Sequence, residues 1–177
     1  MIASETFTTD TFSLEKVRQV CEIKKQFWPY SDVEQLDWWA KNTEADDVFI
    51  TVTQQKSIIA FLRLRSRFAS LTSEQIEVFC VTEVCVHQSF QNLGFGKQLM
   101  NTASSFVNAS DVKIGFLLCF EDQIDFYKAC NWFEYPSVKI KSKRTGDLRN
   151  LRNNERCMAF DPELRLQDKV LLHGDVF

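Results

Sequence analysis

Two of only five glycines in this 177-residue chain stand two positions apart, at Gly94 and Gly96. They belong to Gln91-Asn92-Leu93-Gly94-Phe95-Gly96, which follows the apolar strand end Val84-Cys85-Val86. The loop opens a stretch in which Leu99, Ala103, Phe106 and Val107 share one helical face. A strand, a glycine loop and a helix in that order make an anion site. Backbone N–H groups at a helix N-terminus lack partners within the helix, and the helix dipole favours negative charge there. Glycine lets the backbone approach a pyrophosphate closely and adopt a positive φ. The spacing is neither the dinucleotide-binding G-x-G-x-x-G nor a Walker loop.

The rest of the chain supplies a mixed α/β frame for this unit. Phe7 to Phe12 reads as a first strand. Ser13 reads as an N-cap, followed by Leu14, Val17, Cys21 and Phe27 at helical spacing. Ser31 and Glu34 have capping-box spacing, so a second helix carrying Leu36, Trp38 and Trp39 starts there. Val48–Thr53 and Ser57–Arg67 read as a hairpin, and Gln75–Val86 as a long third strand. Val112–Cys119 is a nearly continuous apolar strand, as expected when both faces are covered. Glu121–Cys130 reads as a helix. Trp132–Ile140 reads as a strand with Pro136 at an edge or bulge, and Arg156–Phe160 as one more. The length suits a single domain over residues 1–177, with helices on both faces of the sheet.

Charge and cysteine content narrow the function classes. The formal charge is -3, unlike a basic nucleic-acid binder. Residues 31–47 hold six acids and one base, a local -5, and residues 139–156 hold seven bases and two acids, a local +5. The six cysteines form no C-x-x-C pair, and several lie in apolar runs as buried thiols do. With no signal peptide and no apolar run of membrane-spanning length, a reducing cytoplasm is the expected setting. His87 and His173 stand far apart in the sequence and have no metal-ligand spacing, so no metal is expected.

The loop with its context resembles the GNAT superfamily of N-acetyltransferases. Q/R-x-x-G-x-G/A after a V-x-V strand end is similar to that superfamily's coenzyme A loop. Phe126-Tyr127-Lys128-Ala129-Cys130-Asn131-Trp132 is similar to its F-Y-x-x-x-G-F/W segment. Asn131 replaces the usual glycine, and asparagine also accepts the left-handed C-cap conformation. The resemblance covers Val48 to Ile140. It implies a mostly antiparallel sheet of six to seven strands and transfer of acetyl from acetyl-CoA directly to a primary amine. It implies CoA contacts at Val84, Cys85, Val86, Gln91, Asn92, Leu93, Gly94, Phe95 and Gly96. Tyr127 stands where the superfamily places the acid for the departing thiolate. Glu83 is the nearest carboxylate to the reaction centre and is either the base, brought round by a bulge, or an ordinary strand residue. Aligned on Val86, the family's glutamate falls at Thr82.

Shorter segments resemble the aminoglycoside 2'-N-acetyltransferases. Ser31-Asp32-Val33-Glu34-Gln35-Leu36-Asp37-Trp38 is similar to their acceptor-side helix, Lys56-Ser57-Ile58-Ile59-Ala60 to their third strand, and Gly174-Asp175-Val176-Phe177 to their C-terminus. This implies an acceptor pocket ringed by Asp32, Asp37, Asp175 and the carboxylate of Phe177, with Thr82 beside it, suited to a small polyamine or aminosugar. The chain departs from that family at Leu118, where the family has serine. It departs again at Arg149 to Asn154, which stand in place of the family's acidic run. A protein amine or another metabolite as acceptor, and a non-catalytic acyl-CoA-binding module, are the alternatives. The acceptor is expected to be a small molecule, with no nucleic acid or membrane partner. Pairing into a homodimer through sheet edges or C-terminal arms is plausible in this superfamily.

Overall fold

The structure, a computed structural model, describes residues 2–72, 74–142, 145–163, 166 and 169–174. Two compact units make up the chain: Met1–Leu64 with Glu83–Thr102, and Arg65–Thr82 with Ala103–Phe177. Two strands, β3 (Ser57–Ser70) and β4 (Gln75–Val86), run through both units.

In the first unit β1 (Ile2–Thr8) pairs antiparallel with β2 (Val48–Gln54), and β2 pairs antiparallel with β3. The first strand therefore ends earlier than the expected Phe7–Phe12. Thr8, Asp10 and Thr11 bond to one another and to local backbone, which turns the chain out of the ladder. Phe12 then enters the core, 4.6 Å from the Phe49 ring and stacked 5.7 Å from Trp39. Helix α1 (Leu14–Lys24) starts where Ser13 caps the Lys16 N–H. Its buried face is Val17, Val20, Cys21, Ile23 and Lys24, whereas Leu14 and Phe27 are exposed. Helix α2 (Asp32–Asn42) has the complete Ser31–Glu34 capping box. Between β2 and β3, Gln55 and Lys56 take φ of 51° and 70°, as the twist of a two-residue hairpin demands.

The second unit holds a longer sheet in the order β6-β9-β5-β4-β3-β10-β7-β8. Its further strands are β5 (Gly115–Phe120), β6 (Phe133–Glu134), β7 (Val138–Lys141), β8 (Leu148–Asn150), β9 (Glu155–Phe160) and β10 (Val170–His173). The β4–β5 and β10–β7 pairs are parallel, and β5–β9, β6–β9, β7–β8 and β10–β3 are antiparallel. The described residues thus form ten strands rather than six to seven, in the mixed, mostly antiparallel class expected. The strand expected over Trp132–Ile140 is two strands separated at Pro136, whose nitrogen carries no ladder donor. The helix expected over Glu121–Cys130 is a 3-10 turn, Glu121–Gln123, followed by α4 (Ile124–Lys128). Strand β5 begins at Gly115 rather than Val112, because Lys113 adopts φ of 56° and breaks the extension. Helix α3 (Phe95–Ala109) runs from the first unit into the second, with Leu99, Ala103 and Val107 buried.

The basic stretch runs from β7 through β8 into β9 and is partly neutralised. Glu155 pairs with Arg149 and Arg152, and Arg156 reaches Glu121 and Glu134. All six cysteines are free and buried. Among the described residues no helix is long and apolar enough to cross a membrane.

Gly115 has a packing role. A β-carbon there would lie 2.7 Å from ring carbon Cη2 of Trp132, which is 1% exposed. The indole is fixed by its Nε1–H donating to Ser104 Oγ at 3.0 Å. The ring cannot retreat without losing that bond, so Gly115→Ala is expected to destabilise the fold by about 1–3 kcal/mol, measurable as a lower urea midpoint.

Burial also raises the core thiols, Cys80 to about 12 and Cys119 to about 11. Their neutral forms are favoured in the folded state, so that stability is fully present below the unfolded thiol pKa of about 8.5 and is lost as pH rises towards the folded values. Urea midpoints are expected to hold steady up to about pH 8 and to fall above about pH 9.

Candidate active site

The end of β4 is irregular in a way that sets up the site. The Phe79 N–H donates to Ile114 O at 2.9 Å, towards β5, whereas the His87 N–H donates to Ile59 O at 2.8 Å, towards β3. In a regular strand, residues an even number apart send their N–H groups the same way. The strand therefore slips by one residue between these two points. Glu83, with φ of 56°, is the one left-handed residue in that span and marks the slip. A non-glycine residue in this conformation stores about 1–3 kcal/mol of strain.

Alternation back from His87 turns the N–H groups of Val84 and Val86 away from β3. The β4–β5 ladder ends at Cys80 and Phe116 among the described residues, so no strand pairs with that edge of β4 further on. The Cys85 side chain lies in the first unit's core with Val20, Phe49 and Phe61. Its thiol is raised by burial and the nearby Glu83 charge. Two backbone donors on an open edge can bind an acyl carbonyl or an amide chain.

The loop follows directly. Gln91 Nε2 donates to Val86 O at 3.3 Å and ties the loop back to the strand. Asn92 and Gly94 both take positive φ, 61° and 86°. Gly94 O accepts from Gln98 N at 3.0 Å and closes the first turn of α3. The N–H groups of Phe95, Gly96 and Lys97 precede that first bond and are free of the helix ladder. Gln91 to Gly94 are exposed, and a β-carbon on Gly94 would meet nothing within 4 Å. An open turn with left-handed residues at a fifteen-residue helix start fits a pyrophosphate. Leu93 is exposed, and Phe95 packs edge-on to Phe90 at 6.2 Å.

Glu83 is held in a buried cluster of charges and rings. One carboxylate oxygen pairs with Lys24 Nζ, and Arg63 Nε lies 3.1 Å from the other as a charge contact off hydrogen-bond alignment. Arg63 also lies 3.4 Å from Asp47, with both side chains fully buried. The Lys24 ammonium sits 4.0 Å from the Trp38 ring centroid, and the Arg63 guanidinium 4.7 Å from Trp39 and 5.4 Å from Phe49. Two cations and two carboxylates thus balance inside an aromatic cage. Sequence reasoning missed Lys24, Arg63 and Asp47. Lys24 continues the buried face Val17, Val20, Cys21, and Arg63 interrupts the apolar run Ile58–Leu64; those two misfits were the available signals. Thr82, the residue before the slip, is buried.

Tyr127 lies in the second unit, in α4, and is buried with its ring edge-on to Phe126 at 4.9 Å. Burial raises its phenol above the ordinary range, and nearby Cys119 and Cys130 add to the effect. The phenol is therefore protonated at neutral pH. Its backbone carbonyl accepts from Cys130 N and Trp132 N at 2.9 and 3.1 Å, while Asn131 takes φ of 64° and donates to Lys128 O. This is the Schellman stop that asparagine was expected to provide.

The acceptor-side acids separate into different settings. Asp32 pairs with Lys25, and Asp37 pairs with Lys41 at 2.7 Å, both on the surface of α2. Trp28 and Trp38 are 41% and 38% exposed and share the Lys24 ammonium. Asp175 and Phe177 lie outside the described residues. Gly174, just before them, takes φ of 101° and packs where a β-carbon would meet Arg67 Cδ at 2.9 Å.

The model of the Acetyltransferase (GNAT) family matches residues 13–132. Among solved structures, Escherichia coli ElaA is similar at a TM-score of 0.62 and 14% identity, over 91% of this chain and 100% of that one. An acyl-CoA N-acyltransferase from Pseudomonas aeruginosa is similar at 0.63 and 14%, over 90% and 99%. The ribosomal-protein-S18-alanine N-acetyltransferase from Escherichia coli is similar at 0.60 and 12%, over 99% and 96%. At these identities the likeness concerns the fold. No curated protein matches the sequence. The family match runs from the Ser13 cap through the slipped strand and the glycine loop to the Asn131 stop, and the chain belongs to the GNAT family of acetyltransferases, which use acetyl-CoA.

Proposed function

We propose that this enzyme moves the acetyl group of acetyl-CoA to a primary amine of a small polyamine or aminosugar. The observation that carries the transfer is the slip at Glu83 followed by the open Asn92–Gly94 turn, both within the first unit. In the reaction the neutral amine nitrogen attacks the thioester carbonyl carbon, the C–S bond breaks to release a thiolate, and the nitrogen gives up one proton to solvent. The carbonyl oxygen gains charge as the bond forms, and the N–H groups of Val84 and Val86 are suited to receive it. The residues from Gln91 to Gly96 offer backbone donors and the helix dipole to the pyrophosphate. The resemblance assigns Tyr127 the proton for the departing thiolate, and its protonated phenol suits that task.

For the acceptor, the order of the Asp32–Trp38, Lys56–Ala60 and Gly174–Phe177 segments supports an amine-rich small molecule. The charges of Asp32 and Asp37 are already matched by Lys25 and Lys41, so those lysines must be displaced or the aromatic faces must carry recognition. Trp28 and Trp38 offer faces on which a sugar ring or an ammonium can stack.

A CoA-release assay over aminoglycosides, polyamines and peptides tests this reading. Turnover of aminosugars or polyamines is expected, with KM between about 1 μM and 1 mM. Turnover of peptides alone would move the acceptor to a protein amine, and acetyl-CoA binding without turnover of any amine would make the chain a binding module. Tyr127→Phe is expected to lower kcat by about 100-fold with the fold intact. Because burial raises the phenol, wild-type kcat is not expected to fall through Tyr127 ionisation between pH 7 and 9. Full kcat in Tyr127→Phe would remove the acid role.

A further inference from the structure

We infer that Lys24 and Arg63 are positioning residues: by clamping the Glu83 carboxylate they fix the left-handed slip that aims the Val84 and Val86 N–H groups. The inference rests on the reading above, in which the acetyl group lies on that edge of β4. It assigns the Glu83 carboxylate a different task from proton abstraction.

A base needs a carboxylate oxygen free to reach the acceptor's proton. Both Glu83 oxygens face cations of the protein itself, and the Glu83 side chain is only 11% exposed. Neither cation is free to swing away. Lys24 comes from the last turn of α1 and is held under the Trp38 ring at 4.0 Å. Arg63 sits in β3 opposite Phe49 in the ladder, with its guanidinium near Trp39, Phe49 and Asp47. Side chains from α1 and β3 thus converge on one strained residue of β4, and rings from β2 and α2 hold those side chains. A carboxylate gripped from two sides resists the rotation of Glu83 back to an extended φ. Such a rotation would restore regular alternation and turn the donors of Val84 and Val86 towards β3.

The binding test is calorimetric and needs no acceptor, and turnover of Glu83→Gln is read separately by CoA release with an amine that wild type acetylates. Acetyl-CoA and CoA are titrated into wild type, Lys24→Met, Lys24→Arg and Glu83→Gln. Both ligands share the loop at 91–96 and the pantetheine amides, but only acetyl-CoA adds a thioester carbonyl at the Val84–Val86 edge. Lys24→Met and Glu83→Gln are each expected to weaken acetyl-CoA by about tenfold and CoA by less than about threefold, with Lys24→Arg close to wild type. The Lys24→Met/Glu83→Gln double variant is expected to lose no more than either single variant, because one clamp is broken only once. Unchanged acetyl-CoA affinity in Lys24→Met, or equal loss of both ligands, overturns the inference. Glu83→Gln that binds acetyl-CoA as wild type yet abolishes turnover overturns it too, in favour of a base. If Lys24→Met does not fold, Glu83→Gln and the Lys24→Arg comparison still decide. Wild type that binds neither ligand refutes the proposed function itself, a separate outcome.

Discussion

A one-residue slip in β4 is the constraint on which the site depends. Upstream of it, the strand must present its N–H groups to β5, as Phe79 does to Ile114. Downstream, it must stay bonded to β3, as His87 is through Ile59, while leaving donors free on the other edge. No regular strand meets both demands, because alternation is rigid at a period of two. A single left-handed residue inverts the phase and leaves both flanking segments extended. The cost is local strain at Glu83, and the compensation is long-range. Its partners Lys24 and Arg63 lie on a helix and a strand far away in sequence.

The charges around Glu83 bear on specificity of conformation more than on stability. Buried ion pairs recover little beyond the desolvation of their members, and apolar replacements are often as stable. A cluster with two cations and two carboxylates is sensitive to geometry in a way that an apolar contact is not. Moving Glu83 leaves Lys24 and Arg63 unbalanced, and moving Arg63 unbalances Asp47 as well. The aromatic rings around them exclude water, which strengthens each charge contact and penalises each loss. The cluster therefore favours one arrangement of β4 over its neighbours by making the neighbours costly.

Local signals in the sequence were readable where the physics is local. Ser13 and the Ser31–Glu34 box marked both helix starts because caps bond within three residues. Strand β4 was legible from end to end, and the loop and the Asn131 stop could be placed without a tertiary contact. Long-range facts were not legible. The short strands β8 and β10 are strands because β7 and β3 pair with them, not because three or four residues carry a pattern. The acidic run at 31–47 looked uniform, yet Asp47 is buried on Arg63 while Asp32 and Asp37 are on the surface. The possibility that a bulge would bring Glu83 round could be posed from the register. Its partners could not, since Lys24 is 59 residues away.

The scarcity of glycine takes on a physical meaning in this setting. Gly115 and Gly174 stand where a β-carbon would strike Trp132 or Arg67, and Gly94 stands in the open turn before α3. Six other left-handed positions among the described residues are filled without glycine: Gln55, Lys56, Glu83, Asn92, Lys113 and Asn131. At Asn92 and Asn131 the side chain itself eases the conformation, and at Gln55 and Lys56 the hairpin twist demands it. Glu83 has neither excuse, since it lies inside a strand. Glycine there would remove the strain but also the carboxylate, leaving two buried cations without their shared anion. A side chain that strains the backbone and is gripped by charge defines the slip more sharply than a glycine, which occupies either hand about equally. That is a physical reason for a chain with so few glycines to place a glutamate at the phase change of its central strand.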